Sequence, residues 1–138
     1  MPKFTEEETW LIARAIAAEC SRLGLNSNLP GSRLLSESLF KAALQLASQM
    51  TGKPNPVSSK LPVEWGMSLR QVKRVQSDLL IGVEIGIWTA NDVQDLLAKL
   101  DNLEERVRVI GREASEAYKE RMSSKLDFRG TFMDTFDD

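Results

Sequence analysis

Apolar positions along this chain recur at helical spacing almost throughout, and the alternation expected of strands is nearly absent. The first stripe runs through Trp10, Ala13, Ala17 and Cys20, joined by Ile12 and Ile16. Thr5 followed by Glu8 has the spacing of a capping box, and Glu6, Glu7 and Glu8 place negative charge where a helix dipole favours it. Gly24 reads as the Schellman glycine that ends this helix, with Leu25 placed to pack back. Asn26 to Gly31 is a turn-forming cluster. A second helix follows from about Ser32 to Met50, its apolar face made of Leu35, Leu39, Ala42, Ala43, Leu46 and Met50.

The centre of the chain is less regular. Residues 52–60, with Pro54 and Pro56 and no apolar period, read as a loop or linker. A short helix is expected near Leu61, with Pro62 in its first turn. Gly66-Met67-Ser68 then reads as a turn and N-cap, opening a helix from about Leu69 to Ile85 that Gly86 ends. Ile85 to Trp88 carries the one extended-segment signal. Thr89 with Asp92, or Asn91 alone, caps the last helix, which runs from about Asp92 to Lys125. Val93, Leu100, Val107 and Ala114 repeat in heptads beside Leu96, Leu103, Ile110 and Ala117, with charges on the flanks. This pattern predicts self-association through Val93, Leu96, Leu100, Leu103, Val107 and Ile110. An antiparallel pairing inside one domain produces the same spacing.

The expected fold is therefore all-α, with about five helices, a helix-turn-helix-like centre and a long coiled-coil-like C-terminal helix. The units are a two-helix segment at 1–51, the loop at 52–60, a third segment at 61–125 and a tail at 126–138, within one compact domain. A chain of 138 residues, 42% hydrophobic and 28% charged, is in the ordinary range for one globular domain.

Composition narrows the chemistry. There is no histidine and one cysteine, Cys20. Those counts leave no intrachain disulfide, Cys/His zinc site, Ser-His-Asp triad or Cys-His dyad. Nucleotide-loop motifs are absent, and the carboxylate pairs Glu104-Glu105 and Glu113/Glu116 have basic helical neighbours. The expectation is a protein without enzymatic activity, cofactor or metal. Cys20, on an apolar stripe, reads as a buried small side chain. No basic leader with an apolar core opens the sequence, and Gly82, Glu84 and Gly86 break its longest apolar run. A cytoplasmic protein with no membrane partner is the expectation.

Charge is unevenly spread beneath a formal total of −2. From Lys53 to Arg74 five basic residues stand against one acid, whereas from Leu126 onward four acids stand against one base. The segment Leu61-Pro62-Val63-Glu64-Trp65-Gly66-Met67-Ser68-Leu69-Arg70-Gln71-Val72-Lys73-Arg74-Val75 resembles the helix-turn-helix motif of DNA-binding proteins. Gly66 matches the turn glycine, Trp65 and Met67 its apolar flanks, Ser68 the polar opener, and Val72 and Val75 the anchors of the second helix. At the position where the motif sets a small residue this chain has Pro62, leaving the first helix about one turn.

The resemblance implies double-stranded DNA as a partner. Ser68, Arg70, Gln71, Lys73, Arg74 and Ser77 would be the contacting residues, with arginine suited to guanine edges, glutamine to adenine and lysine to phosphates. The reading is a small DNA-binding regulatory protein that dimerises through its long helix. The alternative is a helical protein–protein adaptor, inhibitor or assembly factor. It would act through that helix and a tail whose Phe128, Phe132 and Phe136 recur every four residues.

Overall fold

The computed structural model describes residues 4–25, 32–50 and 62–129, with side chains described from 64 to 123 in the last stretch. Among the described residues there are four α-helices: α1 (Glu6–Leu25), α2 (Ser32–Gln49), α3 (Pro62–Glu84) and α4 (Ala90–Arg129). No strand occurs among the described residues.

The helices form a closed ring. α1 packs on α2, α2 on α3, α3 on α4 and α4 back on α1, while among the described residues no Cα atoms of a diagonal pair come within 8 Å. Cross-helix pairs set every direction. Lys99 of α4 binds Glu19 near the end of α1, and Arg106 of α4 reaches Glu8 near its start at 3.5 Å. Ser38 of α2 donates to Asp78 of α3 at 3.0 Å while Leu35 lies against Gly82, and Gln76 and Lys73 of α3 meet Asp101 and Glu104 of α4. Neighbours are thus antiparallel all round, the up-down-up-down order that short connections favour. The core fills the ring with Ile16, Leu39, Leu46, Val72, Val75, Leu79, Leu100 and Leu103, all fully buried.

Local chemistry explains the helix ends. At the start of α1, the Thr5 hydroxyl accepts from the Glu8 amide at 3.2 Å, satisfying one donor that helix geometry leaves unpaired. Thr89 and Asp92 cap α4 reciprocally: the Thr89 amide donates to the Asp92 carboxylate at 2.9 Å, and the Asp92 amide to the Thr89 hydroxyl at 3.1 Å. α3 ends in a Schellman motif. The Ile87 amide donates to the Gly82 carbonyl at 2.8 Å and the Gly86 amide to the Val83 carbonyl at 3.1 Å, with Gly86 at φ +83°. The hint of an extended segment at Ile85 to Trp88 resolves into this cap and turn.

The expected Schellman glycine is misplaced. α1 continues through Gly24 to Leu25, and Leu25 is exposed rather than packed back. Gly24 instead lets α2 come close, since a Cβ there would lie 3.0 Å from the Ser36 Cβ.

Two larger expectations also change. First, the described residues hold four helices, not five. α3 passes through Gly66-Met67-Ser68 unbroken, so the expected turn is helical. One glycine costs a helix interior only about 1 kcal/mol, and burial of Trp65 and Val72 along one face outweighs it. Second, Val93, Leu96, Leu100, Leu103, Val107 and Ile110 are all buried within this chain's own bundle. The antiparallel alternative accounts for the heptads, because α1 and α3 cover that seam. These six residues therefore have no surface to offer a second chain.

α4 continues past its expected end at Lys125 to Arg129, within residues assigned above to the tail. The loop at 52–60 and the tail residues Phe132 and Phe136 lie outside the described residues, and the Phe128 side chain is likewise undescribed. No described helix is long and apolar enough to cross a membrane.

Candidate nucleic-acid interface

α3 determines which of its polar residues face solvent. Trp65, Ser68, Val72, Val75 and Leu79 follow one another at three- and four-residue steps and line the buried stripe. Arg70, Lys73, Arg74 and Ser77 fall on the opposite face and are exposed. Among the described residues, neither Arg70 nor Arg74 has an acidic partner, whereas Lys73 pairs with Glu104 of α4 at 2.5 Å.

Two of the six expected contact residues turn inward. Ser68 is 1% exposed, and its hydroxyl is buried with no hydrogen-bond partner. Gln71 is half-buried, with its Oε1 likewise enclosed. The reason is the missing turn. An N-cap serine would stand at a helix end, but this one lies inside α3, where the stripe of Trp65, Val72 and Val75 carries it into the core. No helix N-terminus stands near Ser68 to receive a phosphate, because α3 begins at Pro62.

The antiparallel packing adds residues that sequence reasoning did not assign. Lys73 lies opposite Glu104, so Arg70, one turn earlier, stands level with the stretch of α4 around Arg108. Arg108 is exposed and pairs with the same Glu104 at 3.2 Å, and Arg112, one turn further on, is exposed too. Glu104 thus joins Lys73 and Arg108 into one cluster. Lys73 is the main reason its carboxyl is held below the ordinary value; partial burial opposes this and Arg108 reinforces it. Arg70, Lys73, Arg74, Arg108 and Arg112 together make a basic ridge over two helices, with Glu104 bridging it and Glu105 beside it. The only sequence signal for the α4 part was a pair of arginines four residues apart, which any solvated helix carries.

Elsewhere the chemistry is quiet. Cys20 is fully buried, and burial, aided by Glu19 and Asp78, pushes its thiol up to about 12, far from the thiolate form that reacts. Among the described residues no cluster of three Cys, Asp or Glu side chains could hold a metal ion. A groove of about 450 Å³ opens between α3 and α4 at the end opposite the ridge, with Leu80, Val83, Val93 and Leu97 among its lining residues and Asp101 at its edge. Comparison with protein families, with curated proteins and with solved structures finds no match to this chain.

Proposed function

We propose that this chain is a non-enzymatic, small DNA-binding regulatory protein that holds duplex DNA against the ridge of α3 and α4. One observation carries the reading: Arg70, Lys73 and Arg74 share an exposed face, and Arg108 and Arg112 extend it from the neighbouring helix. Contact is mainly to phosphates. A ridge two helices wide follows a backbone better than it enters a groove, and the inward turn of Gln71 removes the expected adenine reader. Arg70 and Arg74 remain as the side chains able to reach base edges.

A salt titration of binding to mixed-sequence duplex tests this. Affinity should fall steeply with salt as counterions are released, and an Arg70→Ala/Lys73→Ala/Arg74→Ala variant should lower the log–log slope by about two to three. Absence of binding at low salt, or an unchanged slope in the variant, sinks the reading.

The adaptor reading has its own support in the far end of α4. Glu116 to Arg121 are six consecutive exposed residues, more than a full turn with no face covered by the bundle. A chain ending after Ser115 separates the two readings. DNA binding survives that cut if the ridge is the working surface, and is irrelevant to function if the projecting helix is.

A further inference from the structure

One group within the ridge opposes the charge around it. Glu104 lies in the seam between α3 and α4 with 16% of its side chain exposed, paired with Lys73 at 2.5 Å and Arg108 at 3.2 Å. Those two cations keep 57% and 50% of their side chains in solvent, so an approaching phosphate meets them before it meets the carboxylate. Arg70, Arg74 and Arg112 are placed differently. They are exposed, and among the described residues none of them has an acidic partner. Glu105, next in the chain, is exposed as well and pairs with no described cation. The ridge therefore sets three unpaired arginines beside two cations that share one carboxylate.

We infer that Glu104 is a brake on this interface: it competes with DNA phosphates for Lys73 and Arg108 and holds the grip of the ridge below what its five bases allow. The inference rests on the DNA reading and names the residue that sets affinity at that site. Counterion release explains the competition. An unpaired cation that reaches a phosphate releases a counterion from the DNA. When Lys73 does so it leaves Glu104, whose charge must then be met by Arg108 or by a salt cation, so the net release is smaller. The same carboxylate ties α3 to α4, so stability and affinity pull on it in opposite directions. Removing its charge loosens the seam and frees one cation for the DNA. Glu105 does neither, because it holds no member of the ridge.

A salt titration of duplex binding by the full chain, run on wild type, Glu104→Gln, Glu104→Met and Glu105→Gln, tests the inference. Glu104→Gln should bind about tenfold tighter at low salt and steepen the log–log slope by about one, the contribution of one further phosphate contact. Glu104→Met, of similar length and likewise uncharged, should reproduce both. Glu105→Gln should keep the wild-type slope, since the charge it loses is paired with nothing on the ridge. Circular dichroism in the same buffers reports the folded fraction, and partial unfolding cannot imitate the result, because it weakens binding. A wild type that does not bind at low salt would remove the DNA reading and the brake together. Binding that needs Arg70, Lys73 and Arg74 while both Glu104 variants are no tighter, or while Glu105→Gln tightens it equally, would overturn the brake and leave the DNA reading standing.

Discussion

The two parts of α4 carry the same heptad spacing and meet opposite fates. From Val93 to Ile110 each heptad position is buried against α1 or α3. From Glu116 to Arg121 every residue is exposed. Periodicity alone does not distinguish them; side-chain size does. The inner positions are Val, Leu and Ile, worth about 1.5–3 kcal/mol each when buried, whereas the outer ones are Ala114 and Ala117, which have little to bury. A repeating pattern says that a face suits covering, and the size of the residues on it says how strongly the fold demands it.

The largest test of this contrast is truncation at the buried seam. Leu100→Ala and Leu103→Ala each remove a fully buried side chain and should cost about 2–5 kcal/mol in urea unfolding. Tyr118→Ala, on the exposed stretch of the same helix, should stay within about 0.5 kcal/mol. Comparable losses at Leu100 and Tyr118 would mean that the exposed stretch of α4 is part of the folded core.

Two glycines of α3 carry the contrast to smaller effects. A Cβ at Gly82 would lie 2.1 Å from the Trp88 ring, so Gly82→Ala forces Trp88 out of its buried seat and should cost about 1–3 kcal/mol. At Gly66 nothing lies within 4 Å of that position. Gly66→Ala should therefore raise stability by about 0.5–1 kcal/mol, the gain for replacing an exposed glycine in a helix interior. Destabilisation by Gly66→Ala would bring back the turn that the sequence suggests there.

That glycine marks where sequence reading reached its limit. The buried stripes of α1 and α2, the Thr5 and Thr89 caps and the stop at Gly86 were legible, because each depends on residues within one or two turns. The covering of Val93 to Ile110 was legible as burial but not as burial within the chain, since a neighbouring helix leaves the same spacing whichever chain supplies it. Gly66 misled because turn chemistry is a local preference, and the burial of Trp65 and Val72 on one face overrides it. Of the candidate site, Arg70, Lys73, Arg74 and Ser77 were legible from helical phase. Ser68 was assigned outward only because a helix start was placed beside it. Arg108 and Arg112 needed the register of Lys73 against Glu104, which no single helix encodes.

The smallest expected effect lies on the ridge itself, where inner and outer parts of α4 again differ. Glu104 is largely enclosed between α3 and α4, and Lys73, ahead of Arg108, holds its carboxyl below its ordinary value of 4.5. The unfolded chain therefore takes up that proton more readily than the folded one. The resulting stability is fully present above the ordinary carboxylate range and is lost as pH falls through the lowered folded value. At neutral pH, Glu104→Gln should cost up to about 1 kcal/mol, and its difference from wild type should close as unfolding is followed downward through pH 4.5. Glu116→Gln, on the exposed part of the same helix, should stay within about 0.5 kcal/mol of wild type across that range. A Glu104→Gln deficit that persists undiminished into acid would show that Lys73 and Arg108 do not hold this carboxylate. The ridge would then be five separate cations rather than one cluster.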